Sequence, residues 1–333
     1  MTPHTGLTGR DFLAERDFSA DELRHLIELS ARLKSERSRG DEEQRLRGKG
    51  VALIFEKPST RTRIAFEAAV AHQGGFTTFL DPASSQIGHK ESIADTARVL
   101  SRVFDGIQFR GAQHSTIEEL AHYASVPVYN GLTDDWHPTQ MLADFLTMYE
   151  HSGTTNPRFA YLGDARNNMG NSLLVTGAIL GADVRIIAPR ELWPSGEVQE
   201  LARQRAEISG ATITVTDDVD AVTGVEFVHT DVWVSMGESS DTWTKRIGVL
   251  HPYRVDEALM KRAGPSAKFM HCLPALHDAS SELGRTLNLT APFDVGDGME
   301  VSSAVFDSAA SIVFDQAENR LHTIKAVLVA TLT

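Results

Sequence analysis

The sequence lacks most of the features that mark secreted and membrane proteins. Among its 333 residues there is one cysteine, Cys272, which cannot form an internal disulfide and therefore fits a reducing cytosol. The first twelve residues contain no apolar segment followed by a small-residue cleavage site, as a secretory signal would. The most apolar runs, residues 51–55 and 325–332, fall far short of the ~20 residues that span a bilayer. We therefore expect a soluble, cytoplasmic protein.

Positive charge is also scarce in this chain. It has 32 lysines and arginines against 45 aspartates and glutamates, which gives a formal net charge of −13. Nucleic acids and anionic membranes are bound mainly through clustered cations, so we expect neither as a partner. A few arginines in a cleft can still make one site locally positive. The composition therefore leaves an anionic small-molecule substrate open.

Several common functional motifs are missing. The sequence has no G-x-G-x-x-G fingerprint and no P-loop, which argues against a nucleotide site. It has no H-E-x-x-H or C-x-x-C motif, and His271 and His277 do not have the spacing of zinc ligands. We therefore predict neither a cofactor nor a bound metal.

What the chain does have is a regular alternation of short apolar, β-rich runs with helical patterns. The predicted strands form two series, at residues 51–55, 77–80, 106–109 and 126–129, and then at 159–162, 183–187, 212–215, 227–232 and 268–273. This alternation predicts the α/β class, with two doubly wound parallel-sheet domains linked by helices. We place the domains at residues 1–148 and 149–320, followed by a C-terminal helix, 321–333, that returns to the first domain. Ligands of open α/β sheets lie beyond the carboxyl ends of the strands, so the residues that follow the strands are the candidate site residues.

Hydroxyl and cationic side chains follow the first buried strand. Ser59, Thr60, Arg61 and Thr62 stand where a helix over residues 59–73 is predicted to begin. A helix N-terminus offers unpaired N–H groups and the positive end of its dipole, and arginine adds a planar fork that matches phosphate. The alternative is a capped surface helix with solvated arginines. The concentration of these residues directly after a buried strand favours an anion site.

Other strand ends carry weaker signals when each is taken alone. Arg110 follows a strand, where an arginine is usually solvated. His137 and Gln140 lie at a predicted helix start. His137 can donate a hydrogen bond to a developing oxyanion and Gln140 can hold an amide, although a lone histidine in this position is more often a helix cap.

One carboxylate and one thiol lie near the ends of predicted strands in the second series. Asp231 lies near the end of the strand at 227–232, before a loop that could close over a ligand or be an ordinary surface loop. Cys272 lies in the last predicted strand, where a lone cysteine is more often a small buried hydrophobe than a reactive thiol. A Cys–His dyad with His271 is disfavoured, because neighbours on a strand point to opposite faces.

Taken together, three of these segments resemble the signatures of the aspartate/ornithine carbamoyltransferase family. They are S-T-R-T-R at 59–63, H-P-T-Q at 137–140 and H-C-L-P at 271–274, in this order and spacing. Asp231 with S-M-G at 235–237 points to the ornithine branch of the family. So do the segments at 85–92, 163–170 and 314–320. The resemblance runs from about Phe12 to Thr331, nearly the whole chain.

The resemblance implies a reaction. The carbamoyl group of carbamoyl phosphate is transferred to the side-chain amine of L-ornithine, giving L-citrulline and phosphate, by direct attack through a tetrahedral intermediate. The active site would lie in the cleft between the two domains. The resemblance further implies a homotrimer with shared active sites, in which Gln86 reaches the site of a neighbouring subunit.

The resemblance also implies site residues. Carbamoyl phosphate would be held by Ser59, Thr60, Arg61, Thr62, Gln86, Arg110, His137, Gln140, Leu273 and Arg320. Ornithine would be held by Asn168, Asp231, Ser235, Met236 and Cys272. Arg61, Arg110, His137 and Cys272 are the residues expected to take part in catalysis, with Cys272 positioning the amine and handling its proton rather than forming a covalent intermediate.

Three alternatives stand beside this hypothesis. A carbamoyltransferase could act on another amine, such as putrescine or aspartate, and Asp231 with the 235–237 loop argues against both. A nicotinamide-dependent dehydrogenase could share the fold, but the glycine fingerprint is missing. A non-catalytic sensor could keep the binding residues, which the retention of the whole polar set disfavours.

Overall fold

The computed structural model describes residues 6–81, 87, 90–233, 240–282, 284–286 and 296–333, the side chains at 240–244 excepted. The chain folds into two compact units. Unit 1 comprises Met1–Leu146 and Ala317–Thr333, and unit 2 comprises Thr147–Gln316.

Helices and strands alternate through the described part of unit 1. They are α1 (Ala20–Arg39), β1 (Gly50–Phe55), α2 (Thr60–His72), β2 (Phe76–Leu80), α3 (Ile93–Leu100), β3 (Gly106–Arg110), α4 (His114–Tyr123), β4 (Val128–Leu132) and the start of α5 (Pro138–Ser152). The strands pair in parallel in the order β2-β1-β3-β4. All six residues of β1 are buried, because it has neighbours on both sides and is covered by helices.

The alternation continues through the described part of unit 2. Its elements are β5 (Arg158–Leu162), α6 (Asn168–Leu180), β6 (Asp183–Ile187), α7 (Gly196–Ser209), β7 (Thr212–Thr216), β8 (Phe227–Thr230), α8 (Ser240–Leu250), α9 (Glu257–Ala263), β9 (Lys268–His271), α10 (Ser303–Phe306) and α11 (Val313–Leu332), which ends in unit 1. The strands pair in parallel in the order β7-β6-β5-β8-β9. These two sheets confirm the predicted α/β class.

The helix ends follow local sequence rules. Ser19 and Glu22 form a capping box at the start of α1, and the helix ends at Gly40, whose φ of 74° is left-handed. The long helices α5 and α11 each contain a change of unit, at residues 146/147 and 316/317. The predicted domain bounds, 148/149 and 320/321, fall in the same two helices and stay predictions.

The order of the strands positions the candidate site residues. In unit 1, β1 lies between β2 and β3, and in unit 2, β5 lies between β6 and β8. The chain leaves β1 towards β2 on one side and β3 towards β4 on the other, and it leaves β5 and β8 in opposite directions in the same way, which opens a crevice at the carboxyl ends within each sheet. The residues after β1 and β3, and those after β5 and β8, lie at these edges. Among the described helices, none has both the length and the apolar character needed to cross a membrane.

Candidate active site

The start of α2 has the properties of an anion site. Ser59 is the N-cap residue, with φ −158° and ψ 104°, and its side chain makes no capping hydrogen bond. The first turn of the helix contains no acidic residue. The N–H groups at this helix end are therefore not neutralised by a local carboxylate or by the cap, and they can face a negative ligand. Thr60 is exposed and Arg61 is half-buried in the same turn.

An open cavity of about 510 Å³ lies at this end of α2. Ser59 and Thr60 line it, together with charged side chains of both signs, namely Glu56, Lys57, Arg63, Glu67 and Asp81. Arg63 is engaged by Glu67, with Nε 2.9 Å from Oε1. The cavity wall thus carries charges of both signs. Positive charge is concentrated elsewhere in unit 1, around Thr62.

Two arginines converge on the hydroxyl of Thr62, which is buried. Arg110 Nη1 donates to Thr62 Oγ1 at 3.0 Å, and Arg320 Nη2 donates to the same oxygen at 3.2 Å. Because guanidinium groups only donate, the hydroxyl oxygen accepts both bonds. The hydroxyl hydrogen has no acceptor among the residues that the structure describes, so it is available to donate to a ligand. Thr62 is therefore a donor held in place by two cations.

Arg320 comes from the C-terminal helix α11 and is only 5% exposed. Its Nη1 donates to Gln140 Oε1 and lies 3.3 Å from His137 Nε2, and its Nη2 lies 3.3 Å from Thr139 Oγ1. One guanidinium group therefore ties the starts of α2 and α5 to α11. The position of α11 in unit 1 is fixed by a buried ion pair between Lys325 and Glu42.

The contact with Arg320 determines the protonation state of His137. Since a guanidinium nitrogen cannot accept, His137 Nε2 must accept, which leaves the proton on Nδ1. Burial, and then the positive charges of Arg320 and Arg110, hold the pKa of His137 well below its usual range. At neutral pH the ring is therefore uncharged and can offer one donor, Nδ1–H.

Gln140 has a fixed orientation as well. Its Nε2 donates to Asp144 Oδ1 at 2.7 Å, one helical turn further along α5, and its Oε1 accepts from Arg320. Both Gln140 and Asp144 are buried. The carboxamide oxygen, and not its nitrogen, therefore lies on the side of Arg320.

In unit 2, a thiol and a carboxylate meet beyond the strand ends. Asp231 follows β8 and Cys272 follows β9, which is the neighbouring strand. Cys272 Sγ donates to Asp231 Oδ1 at 3.1 Å, and the N–H of Val232 donates to the same oxygen at 2.8 Å. Burial raises the pKa of the Asp231 carboxyl, and the nearby His271 and these hydrogen bonds oppose that shift.

His271 supports this pair from the last residue of β9. Its Nδ1 accepts the N–H of Leu273 at 3.0 Å, so in the neutral ring Nε2 carries the proton, and it lies 3.4 Å from Glu300 Oε1. The expectation that His271 and Cys272 point to opposite faces is wrong. The strand ends at His271, so the alternation of side chains does not continue to Cys272, and both lie beside Asp231.

The three side chains have the chemistry of a metal-binding set. One potential ligand atom each from Asp231, His271 and Cys272 lies within 4.8 Å of the others. Oxygen, nitrogen and sulfur together suit Zn²⁺ or a similar ion. Sγ is engaged with Asp231 and the ring with Leu273 N–H, so a metal would have to displace at least one of these bonds. The prediction of no bound metal, which rested on sequence spacing, stays a prediction.

The remaining predicted site residues have the following positions. Asn168 is the first residue of α6 and is half-buried. Leu273 has a left-handed φ of 44° and donates its N–H to His271. Three predicted residues lie outside the part of the chain that the structure describes, and they are Gln86, Ser235 and Met236. Unit 1 thus gathers Thr62, Arg110, His137, Gln140 and Arg320 into one cluster, and unit 2 brings Asp231 and Cys272 together.

Sequence reasoning missed four polar residues of these clusters, which are Thr139, Asp144, His271 and Glu300. Thr139 lies within the H-P-T-Q motif, and His271 begins H-C-L-P, so the motifs themselves carried the signal. Asp144 stands four residues after Gln140, the spacing at which helix side chains meet. Glu300 is completely buried and accepts the N–H of Leu276 at 2.6 Å, which no local pattern predicts.

Fold and site together define a two-unit α/β protein, with two arginines around a buried threonine in one unit and a carboxylate–thiol pair in the other. The chain belongs to the aspartate/ornithine carbamoyltransferase family. Residues 10–150 match the sequence model of that family's carbamoyl-P binding domain, and residues 155–331 match that of its Asp/Orn binding domain. These matches confirm the resemblance predicted from the three motifs.

Individual members of the family are similar over almost the whole chain. A catabolic ornithine carbamoyltransferase of Chromobacterium violaceum is 55% identical over 331 residues, which covers 98% of each chain. One of Pseudomonas putida is 56% identical over 327 residues, covering 97% of each. The solved structure of ornithine carbamoyltransferase from Pyrococcus furiosus has a TM-score of 0.89 at 42% identity, covering 98% of both chains.

Proposed function

We propose that this protein transfers the carbamoyl group of carbamoyl phosphate to the side-chain amine of L-ornithine, giving L-citrulline and phosphate. The observation that carries the proposal is the cluster in unit 1 of four buried residues, Thr62, His137, Gln140 and Arg320, with the half-buried Arg110. The family membership and the names of the relatives support the same reaction.

The phosphate of the first substrate is assigned to the start of α2. Ser59, Thr60, Arg61 and Thr62 would bind it through hydroxyls, the guanidinium of Arg61 and the N–H groups of the first turn. A phosphate dianion gains both from the helix dipole and from bidentate contact with arginine. The absence of an acidic residue in that first turn supports this assignment.

The carbonyl oxygen of carbamoyl phosphate is assigned to Thr62, Arg110 and His137. This oxygen gains negative charge as the tetrahedral intermediate forms, and preorganised donors stabilise that charge. The hydroxyl of Thr62 and the neutral ring of His137 each have one hydrogen to offer, as derived above. A neutral histidine that donates from Nδ1 has no need to release a proton during the reaction.

The carbamoyl NH₂ group is assigned to acceptors. Gln140 Oε1 and the backbone carbonyl of Leu273 would take its two hydrogens, while Arg320 holds Gln140 in place. The acyl carbon is then held with its oxygen among donors and its nitrogen among acceptors. This arrangement fixes the face of the carbonyl that the amine attacks, and such alignment of two bound reactants can supply much of the rate.

Ornithine is assigned to unit 2. Asp231 would pair with its α-ammonium group, and Asn168, Ser235 and Met236 would hold its carboxylate end. The side-chain amine has a reference pKa near ~10.4, so it must lose a proton before it attacks. Its nitrogen then bonds to the carbonyl carbon, the intermediate releases phosphate by breaking the C–O bond, and the nitrogen gives up its remaining extra proton. Cys272, bonded to Asp231, is assigned to positioning and proton handling.

We also propose that the protein works in the cytoplasm as a homotrimer in which Gln86 of one subunit completes the site of the next. The single cysteine supports a reducing compartment. Ile64 in α2 and Phe76 in β2 are apolar side chains that are 54% and 53% exposed. They support the proposal that unit 1 contacts another subunit. Mixing inactive Gln86→Ala and His137→Asn proteins tests the shared site. Activity regained on subunit exchange is expected, and none regained with a trimeric mass would overturn it.

The proposed reaction is tested by assaying ureido product with ornithine, putrescine and aspartate offered in turn with carbamoyl phosphate. Citrulline from ornithine and little product from the other amines is expected, because Asn168, Ser235 and Met236 would hold an α-carboxylate that putrescine lacks, and aspartate has no side-chain amine. Comparable turnover of putrescine would overturn the assignment of the amine. No product from any of the three would overturn the proposed activity itself.

A further inference from the structure

We propose that Asp144 is a positioning residue that fixes the carboxamide of Gln140 and thereby makes the site select an acyl phosphate carrying an N–H donor. The inference rests on the proposed function, because that function assigns Gln140 to the carbamoyl NH₂ group. Asp144 itself would not touch the substrate, and its effect would pass entirely through Gln140.

The side chains of Gln140 and Asp144 are in direct contact. Gln140 and Asp144 lie one turn apart on α5, and both are 1% exposed or less. Gln140 Nε2 donates to Asp144 Oδ1 at 2.7 Å. Nε2 is the donor of this bond and Oδ1 its acceptor, so the NH₂ group of Gln140 faces Asp144. The carboxamide oxygen is then forced to the other side.

Arg320 contacts the carboxamide of Gln140 on that other side. Gln140 Oε1 accepts from Nη1 of Arg320, a group that has only donors. A carboxylate at one end and a guanidinium at the other therefore require the same orientation of the carboxamide. If the group turned by half a circle, its nitrogen would meet the guanidinium and its oxygen would meet the carboxylate, and both buried contacts would become repulsive.

The carboxamide oxygen of Gln140 can accept a further hydrogen bond. A carbonyl oxygen has two lone pairs, and among the described residues Arg320 uses one of them, which leaves one for a ligand. A site that offers an acceptor binds a ligand N–H group. When a methyl group replaces that N–H group in the ligand, the acceptor of the site is left unpaired. Carbamoyl phosphate carries NH₂ where acetyl phosphate carries CH₃. Discrimination between these two acyl phosphates would thus depend on Asp144, although the residue lies one side chain away.

The experiment compares Asp144→Leu, which keeps the branched shape without an acceptor, with Asp144→Asn, whose Oδ1 can still accept from Gln140. Thr331→Val is the matched control, since it removes a buried polar contact of the same unit, with Tyr129, far from Gln140 in the chain. Calorimetry measures the dissociation constants of carbamoyl phosphate and of acetyl phosphate for each protein, and citrulline formation gives kcat.

Loss of one well-made buried hydrogen bond predicts that Asp144→Leu weakens carbamoyl phosphate binding about tenfold or more, while acetyl phosphate binding changes less than about twofold. Asp144→Asn should restore the ratio of the two constants to near the wild-type value. Thr331→Val should lower thermal stability without changing that ratio. Gln140→Leu should reproduce the ratio of Asp144→Leu, and the double variant should add nothing further.

An unchanged ratio in Asp144→Leu would overturn the inference, as would a parallel loss for both ligands. If Asp144→Leu does not fold, Asp144→Ser takes its place, because its shorter side chain leaves a gap where the acceptor was, and the same outcomes apply. Failure of the proposed function is distinct from these results. It would appear as wild-type protein that forms no citrulline, whatever the variants bind.

Discussion

Replacing Arg320 with methionine removes the group that links α11 to the starts of α2 and α5. Methionine keeps much of the length of the side chain and loses every donor. Gln140, His137, Thr62 and Thr139 each lose a partner, while Thr62 keeps Arg110. The protein should still fold, because the Lys325–Glu42 pair also holds α11 in unit 1.

The size of the effect follows from the contacts. A buried hydrogen bond to a charged group contributes about 1.5–3 kcal/mol, so loss of the contacts with Gln140 and His137 alone costs about 4 kcal/mol in orientation of the site. We expect kcat/KM for carbamoyl phosphate to fall about a thousandfold. The kcat/KM of Arg320→Lys should lie between those of the wild type and of Arg320→Met, since one ammonium group cannot reproduce the paired donors of a guanidinium group.

The same change should also move the pKa of His137. Arg320 is one of two positive charges that lower this pKa, and burial, the largest cause, remains in the variant. Removing the charge therefore raises the pKa of His137 without returning it to the ordinary value. The acid limb of the pH profile of kcat/KM should move to higher pH in Arg320→Met.

The assay is citrulline formation at saturating ornithine and varied carbamoyl phosphate, between pH 5 and 9. Arg203→Met is the control, because Arg203 is exposed and pairs only with Glu200 among the ion pairs of the described residues. A loss of less than about tenfold, or an acid limb that moves to lower pH, would refute the assigned role of Arg320.

Three further changes test other parts of the molecule. Cys272→Ser keeps a donor for Asp231, so we expect a higher KM for ornithine with citrulline still formed; a trapped carbamoyl-thioester in the wild type would contradict this. Asp231→Asn should raise the ornithine KM far more than the carbamoyl phosphate KM in steady-state kinetics, and equal increases would count against the pairing with the α-ammonium. His229 is buried and its pKa is lowered to about 3, so the unfolded state binds a proton that the native state does not as pH falls below ~6.5. The free energy of unfolding should then fall by about 1.4 kcal/mol per pH unit for this group, and His229→Phe should remove that slope in urea titrations at pH 7, 6 and 5; an unchanged slope would show that His229 is protonated in the native state.

The strands were predictable because parallel strands buried on both faces appear as continuous apolar runs. The run at 51–55 and the observed β1, Gly50–Phe55, differ by one residue. The C-terminal helix predicted at 321–333 overlaps the observed α11, Val313–Leu332, which begins eight residues earlier. Helix α4, in contrast, was not predicted, since only Ile117 and Leu120 mark its buried face among many polar residues. Its stability comes from packing rather than from sequence pattern.

The candidate site was predictable where chemistry follows directly after a strand. Thr62 and Arg110 could be found from the rule that ligands bind beyond strand ends, and Arg320 entered through the resemblance alone, because it lies 258 residues away from Thr62. To predict the contact of Gln140 with Asp144, one must know which residues share a face of α5. To predict that His271 lies beside Asp231, one must know the residue at which β9 ends. Element ends depend on tertiary contacts and are the least determined by local sequence.

The two arginines around Thr62 in unit 1 belong to a chain with a formal net charge of −13. A dianion approaching from solution is therefore repelled by the net charge of the protein, and at ordinary ionic strength this repulsion is screened beyond about 10 Å. Ionic strength should consequently govern how fast the dianion arrives far more than how firmly it is held once dehydrated. Substrate binding in such a protein depends on short-range attraction. Dissolved salt in the cell assists it by screening the long-range repulsion.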